Sequence, residues 1–210
     1  MSESRHPKRV TGRPKGRSAG EGGTRAHMLN AAEEVLTERG YAATSLEEVA
    51  RRTGVTKAAL YHHFTNGKDE LIVAVGQRML ERDHAGMTDA IAQASGARAQ
   101  LEAGATWMFG ESRHPERMLR DAGRFLPPQK NEEMAHRFMT ALHAPIEEVM
   151  KRGVMSGELR PHDTTFATWA FLSLLAEFSA LQHDLAAPDL AQRVVELLIA
   201  GIGPRHKRSR

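Results

Sequence analysis

The chain has 210 residues, a formal net charge of +3, 40% hydrophobic residues and no cysteine. This length is enough for one large or two small domains with a sizeable core. Because cysteine is absent, disulfides, thiolate zinc sites, thiol redox sensors and cysteine nucleophiles are excluded. No signal peptide and no membrane-spanning run is recognisable, so we expect a soluble, cytoplasmic protein without a membrane partner.

Positive charge is concentrated at the two ends of the chain. Residues 1–25 contain seven Lys/Arg and two Glu, a net charge of +5, and residues 201–210 contain four Lys/Arg and no acid, a net charge of +4. The residues between them therefore carry a net charge of −6. Basic tails on an acidic body indicate either a nucleic-acid partner or a solubilising role.

The N-terminal tail is rich in Gly and Pro between residues 11 and 23, which predicts a disordered basic arm over residues 1–24. Its segment 12–17, GRPKGR, looks like an AT-hook, in which an extended Arg-Pro unit enters the minor groove. Arg13, Lys15 and Arg17 are therefore candidate DNA-contacting residues. Non-specific tethering by a basic tail is the alternative. Residues 204–210 form a second basic tail.

Residues 44–71 have the pattern of two short helices joined by a tight turn. Ser45 can cap the first helix, with Glu48 completing a capping box, and Gly54 can end it in a left-handed conformation. Thr56 can cap a second helix over residues 57–63, whose Leu60 and the following Phe64 face inward. This spacing is typical of a helix-turn-helix, whose second helix enters the major groove of DNA.

The rest of the pattern is helical, without β-alternation. Before the motif, Thr24 can cap a helix that runs to Arg39 and ends at Gly40. After it, a helix is predicted from Lys68 to about His84. Further helices are predicted at 87–109, 115–125, 128–152, 163–184 and 188–202. The predicted fold class is all-α.

These residues also resemble a known family. A leading helix is followed in order by Gly40-Tyr41, Thr44-Ser45, Val49-Ala50, 54–57, 60–64, Lys68 and Leu71. This pattern is similar to the DNA-binding domain of the TetR family of repressors. Three residues separate Phe64 from Lys68, where the family usually has two.

The resemblance implies a three-helix DNA-binding domain at 25–72 and a helical effector-binding and dimerisation domain at 73–203, about nine helices in all. It implies an Ω-shaped homodimer that binds a palindromic double-stranded DNA operator and is released by a small-molecule effector. The last two helices would pair across the dimer, although their apolar content also fits burial within one subunit.

Candidate DNA-contacting side chains lie at helix starts and on the outward face of the second helix. Hydroxyls at helix N-termini favour phosphate, and a lysine at the start of the recognition helix can reach a guanine edge or a phosphate. The alternative for the hydroxyls is a purely capping role. The candidates are Ser45, Thr56, Lys57, Ala58, Tyr61, His62 and Lys68.

Candidate effector-binding side chains are apolar, methionine-rich or cationic. Met and aromatic residues suit a large, flexible ligand, although at helical spacing they also form ordinary cores. Arg113, Arg117, Arg120 and Arg124 share one helical face, which fits a carboxylate or an acyl-CoA but also a solvated surface. The candidate effector-binding residues are Trp107, Met108, Met118, Arg120, Arg124, Phe125, Phe138 and Trp169.

Other classes of function have weaker support. His136 and His143 share a helical face with carboxylates but stand seven residues apart, about 10 Å along a helix, too far for one metal ion unless the helix bends. No metal and no cofactor is expected. No catalytic motif is recognisable, so an enzyme is not expected either. The remaining alternative is a helix-turn-helix protein without an effector, of the architectural kind that coats DNA with both tails.

Overall fold

A computed structural model describes residues 21–110, 123–180 and 189–202 of the chain. Within those ranges all regular structure is helical, which confirms the predicted fold class. A π-helical turn, Met139–His143, joins α6 to α7. The helices are α1 Glu21–Ala43, α2 Leu46–Thr53, α3 Lys57–His63, α4 Lys68–Ala92, α5 Ala97–Gly110, α6 Pro128–Phe138, α7 Ala144–Ser156, α8 Thr164–Ala180 and α9 Leu190–Ile202.

The first helix begins earlier than predicted. It starts at Glu21, so Thr24 lies in its first turn and the predicted cap at Thr24 is wrong. The disordered arm was predicted to extend to residue 24, but residues 21–24 form the first turn of α1. The break at Gly40 is confirmed, because this residue has φ 76° and a single helical turn follows the kink.

The helix-turn-helix forms as predicted. The Ser45 hydroxyl accepts a hydrogen bond from the Glu48 N–H at 3.1 Å, and Gly54 has φ 68°. The Thr56 hydroxyl accepts from the Ala59 N–H at 3.2 Å. Leu60 and the neighbouring Phe64 are fully buried. We refer to α1–α3 as the head and to α5–α9 as the body.

Helix α4 connects the head to the body. It packs against α1 of the head and against α5, α6 and the π-helical turn of the body. It continues to Ala92, two turns beyond the predicted end near His84. The predicted helix 87–109 is therefore divided, and α5 begins after Gly96, whose φ is 84°. The spacing of apolar residues continues from α4 into α5, so the sequence pattern does not indicate where one helix ends and the next begins. The boundary is visible only in the backbone of the structure.

A buried carboxylate holds α1 against α4. Glu33 is 4% exposed and accepts hydrogen bonds from Arg78 at 2.8 Å and from Arg82 at 3.0 Å. Burial alone would raise the pKa of Glu33, but the hydrogen bonds and positive charges of the two guanidinium groups lower it below its ordinary value. The orientation of the head on α4 therefore depends on an ion pair with restricted access to water.

The predicted helix 128–152 is also divided. The Ala144 N–H donates to Met139 O, five residues back, which defines the π-helical turn. Pro145 lacks an amide hydrogen and stands in the first turn of α7. His84 Nδ1 lies 2.9 Å from Ala141 O and donates to this carbonyl. The turn is thus attached to α4 by a side-chain hydrogen bond.

The last two described helices carry exposed apolar side chains. Helix α8 begins after Asp163, whose carboxylate accepts from the Phe166 N–H at 2.9 Å. Phe166 is 73% exposed, and Leu197 on α9 is 62% exposed. None of the helices in the described ranges is long and apolar enough to cross a bilayer.

We predict that Glu33→Gln destabilises the fold by about 1–3 kcal/mol at pH 7, because Arg78 and Arg82 lose their anionic partner. The lowered pKa means that the contribution is fully present above the ordinary value of 4.5 and is lost as the pH falls below it. The difference in Tm between wild type and variant, measured by circular dichroism, should therefore shrink on acidification.

Glu34→Gln is the matched control. It removes the same charge one residue away, from a side chain that is 65% exposed. Its expected cost is within about 0.5 kcal/mol. Equal losses of stability in the two variants would contradict a special role for Glu33.

Candidate nucleic-acid interface and ligand cavity

The outward face of α3 presents the side chains that sequence analysis selected. Ala58 and His62 are exposed, and Tyr61 is 44% exposed. Lys57 shares this surface at the start of the helix. The face forms because Leu60 and Phe64 anchor the opposite side of α3 in the core.

Lys57 has an acidic partner within the head. Its ammonium contacts the Glu47 carboxylate at 2.5 Å, and each side chain is 57% exposed. The carboxylate raises the pKa of Lys57, which therefore stays protonated. In the isolated chain this cation is partly neutralised by a residue of α2, which the sequence spacing did not indicate.

Both arginines of α2 form ion pairs with carboxylates inside the head. Arg51 donates to both Glu48 carboxylate oxygens, at 2.7 and 2.8 Å. Arg52 bridges Glu48 to Glu38 on α1, at 3.1 and 2.7 Å. These contacts lower the pKa of Glu48 to about 2. The Glu48 side chain is thus engaged by arginines, in a network that ties α2 to α1.

Lys68 lies over an aromatic ring at the start of α4. Its ammonium is 3.9 Å from the centroid of Tyr41 and 3.5 Å from Ala42 O. The Tyr41 hydroxyl donates to Asp69 at 3.1 Å. Burial lowers the pKa of Lys68, so the ring and the carbonyl replace part of its hydration.

The opposite end of this cluster touches the body. Phe125, in the turn before α6, stacks on Tyr41 with ring centroids 4.9 Å apart and an angle of 7° between the planes. Sequence analysis selected Phe125 as an effector contact and gave Tyr41 no role beyond the family pattern. Its place between head and body follows only from the tertiary structure.

A cavity of about 430 Å³ lies between α6 and α8. Phe138 and Trp169 stack beside it, with centroids 5.8 Å apart and planes at 18°. The π-helical turn contributes Met139, and the buried His143 ring lies 5.1 Å from Trp169. The lining residues are Met108, Asn131, Met134, Ala135, Phe138, Met139, Trp169, Leu172, Ser173 and Ala176.

The predicted effector contacts are distributed over several places. Met108, Phe138 and Trp169 line the cavity. The Trp107 ring instead packs against Gly86 of α4, where a β-carbon would clash with it. Arg124 is exposed in the turn before α6.

Several predicted residues fall outside the described ranges. Of the effector candidates these are Met118 and Arg120, and of the arm candidates Arg13, Lys15 and Arg17. Sequence reasoning also did not identify Asn131, Leu172 and Ser173 as residues that line the cavity. Polar and aliphatic residues within a helix carry no signal that distinguishes a cavity wall from a surface or a core.

The histidine pair of the predicted helix 128–152 does not come together as a metal site in the described residues. His136 is exposed, whereas His143 is 1% exposed beside Trp169. No group of three possible metal ligands gathers anywhere within 21–110, 123–180 and 189–202.

Comparison with known proteins identifies the head. Residues 28–75 match the family described as bacterial regulatory proteins, tetR family. Residues 28–75 are therefore a TetR-family region. The matched region includes most of α1, the helix-turn-helix and the start of α4, so it contains the exposed face of α3 and Lys68.

A characterised relative aligns with less than half of this chain. The HTH-type transcriptional activator FasR of Mycolicibacterium smegmatis is 38% identical over 90 residues, which cover 43% of this chain and 41% of FasR. The aligned part thus spans about two fifths of that relative.

Solved structures resemble the whole fold. A tetR-family regulatory protein from Rhodococcus RHA1 superposes with a TM-score of 0.73 at 24% identity, over 87% of this chain and 98% of that one. AibR in complex with isovaleryl coenzyme A and operator DNA superposes with a TM-score of 0.67 at 18% identity, over 87% of this chain and all of AibR. At these identities the likeness concerns the fold alone.

We predict that Glu47→Gln increases the affinity of the protein for double-stranded DNA by about threefold to tenfold at low salt, because it frees Lys57 and removes a negative charge beside α3. Fluorescence anisotropy with a labelled duplex measures the change. Glu196→Gln removes the same charge from α9, where the side chain is 72% exposed, and should leave the affinity unchanged. If the two variants bind DNA with equal affinity, the Glu47–Lys57 ion pair does not lower the affinity of the protein for DNA.

Proposed function

We propose that this protein is a ligand-responsive transcriptional regulator, and specifically a repressor, that binds a palindromic operator as a homodimer. The observation that carries the proposal is the exposed face of α3, framed by two capped helix N-termini within a TetR-family head. A helix of this kind fits the major groove. A small molecule in the body would release the DNA.

Each exposed group on the head has a role in this proposal. Lys57 and Ala58 read base edges, the first through a guanine or a phosphate and the second through a thymine methyl. Tyr61 and His62 position phosphates. The hydroxyls of Ser45 and Thr56 cap their helices and place N–H groups toward the backbone of the DNA.

Lys68 completes the contact at the other side of the groove. Its ammonium is presented by the Tyr41 ring, so a phosphate there meets a cation that has already lost part of its hydration. The arm supplies Arg13, Lys15 and Arg17 as further minor-groove or phosphate contacts. This help is needed because the basic residues of α2 are engaged with carboxylates.

In this proposal, α8 and α9 form the interface of the homodimer. Phe166 and Leu197 expose large apolar surfaces on these helices. Surface of this kind is costly in water and marks an interaction site. Pairing of the two helices with their copies across a twofold axis would cover it and set the spacing of two heads.

Effector release rests on the position of the cavity. Helix α6 lines the cavity and directly follows the turn whose Phe125 stacks on Tyr41. A ligand that displaces α6 would therefore act on the contact that supports Lys68. AibR, which shares the fold, is a solved complex with both a coenzyme A thioester and operator DNA.

We predict that Lys57→Ala weakens operator binding by about 1–3 kcal/mol, because it removes a contact to a base edge or a phosphate. The operator is first selected from fragmented genomic DNA with the wild-type protein and then footprinted. Lys151→Ala, which removes a half-exposed lysine from α7 of the body, is the control. A native affinity of Lys57→Ala for that operator would overturn the assignment of α3. Diffuse protection without a palindrome would favour a protein that coats DNA.

We predict that Leu197→Glu weakens self-association by about 100-fold or more, because a carboxylate loses hydration in an apolar interface. Sedimentation equilibrium of the free protein measures the change. Met155→Glu is the matched control, since Met155 is 78% exposed on α7, outside the proposed interface. A monomeric wild type, or equal effects of both variants, would exclude this dimer.

A further inference from the structure

Among the described residues, the lining of the cavity between α6 and α8 carries no formal charge. Eight of its ten lining residues are apolar, and the remaining two, Asn131 and Ser173, are neutral. Charged neighbours on α6 are engaged with one another, since Lys130 and Arg137 both contact Glu133, at 3.5 and 3.1 Å. No described cation therefore faces the cavity.

The balance of charge decides which ligands the described walls can hold. A carboxylate or phosphate that enters an apolar cavity without a counter-ion loses its hydration and gains no partner, which costs several kcal/mol. An uncharged apolar molecule gains free energy from the same walls in proportion to the area it buries. The volume of about 430 Å³ lies within the usual range for small-molecule sites.

The shape of the walls adds a second restriction. Trp169 and Phe138 provide nearly parallel rings, and Met108, Met134 and Met139 provide flexible, polarizable side chains around them. Flat rings pack well against such surfaces, because aromatic and thioether groups attract ring faces and edges.

The two polar groups lie where the cavity meets solvent. Asn131 and Ser173 are both exposed, and their side chains hydrogen-bond to no described residue. Asn131 also packs against Gly123, where a β-carbon would lie 2.5 Å from its Oδ1. The amide and the hydroxyl can therefore serve one polar group at the outer end of an otherwise apolar ligand.

We propose that this cavity selects an uncharged, largely apolar molecule that contains a flat ring and one terminal hydrogen-bonding group, and that it discriminates against carboxylates, sulfonates and acyl-CoA. The proposal deepens the effector role proposed above and rests on it for biological meaning. Binding itself is independent of DNA and is tested without it.

Two matched probes test the proposal with the full-length protein. N-phenyl-1-naphthylamine is uncharged, and 1-anilinonaphthalene-8-sulfonate has the same rings with an added sulfonate. We expect the uncharged probe to bind saturably at one molecule per chain, and the sulfonate to bind at least about tenfold more weakly because its charge finds no partner. In Trp107→Phe, Trp169 is the remaining tryptophan and should transfer energy to the bound probe.

Two pairs of variants test where the probes bind and whether the missing positive charge limits the affinity of the sulfonate. Ala135→Phe fills the cavity wall and should weaken binding of the uncharged probe at least about tenfold, whereas Ala92→Phe, an exposed alanine at the end of α4, should not. Ser173→Lys places a cation at the polar end and should raise sulfonate affinity by about tenfold. Ser95→Lys in the loop before α5 is its control.

The outcomes separate this proposal from the proposed function. Equal or tighter binding of the sulfonate or of isovaleryl-CoA overturns the ligand class, as does an absence of saturable binding by the uncharged probe. Binding of the uncharged probe that leaves the operator complex intact supports the ligand class and counts against effector release. Release of DNA by isovaleryl-CoA alone supports effector release and contradicts the ligand class.

Discussion

The arrangement of this molecule depends on α4, and on the Glu33 carboxylate that fastens α1 to it. This one helix packs against both the head and the body. Since Glu33 bridges Arg78 and Arg82 in a buried setting, the head cannot rotate on α4 without exposing or separating these charges. A displacement of α4 would therefore carry α1 with it, unless this ion pair breaks.

A second contact links the same helix to the cavity by a different route. Phe125 of the body stacks on Tyr41 of the head, and the Tyr41 ring supports Lys68 at the first residue of α4. Asn131, which lines the cavity, packs on Gly123 in the turn that carries Phe125. In the proposed mechanism, a ligand that displaces α6 would therefore act within two side chains of Lys68.

The cationic side chains of the head fall into two groups: those that stabilise helix packing and those that a DNA phosphate could still reach. Glu48 engages Arg51 and Arg52, so the arginines of α2 stabilise the packing of α2 on α1. Lys57 is available to DNA only after it leaves Glu47, and Lys68 only through its exposed part beside Tyr41. Such a head favours binding that is helped by a basic arm and by a second copy, because each head alone offers few free cations.

The sequence by itself determined the helix-turn-helix, because its signals are local. Caps at Ser45 and Thr56, a left-handed Gly54 and the inward spacing of Leu60 and Phe64 each act within a few residues. The tertiary structure alone decided which side chains meet across long separations, as Glu33 does with Arg78 and Tyr41 with Phe125. It also decided the π-helical turn and the walls of the cavity, since periodicity does not distinguish a residue that lines a cavity from one that fills the core.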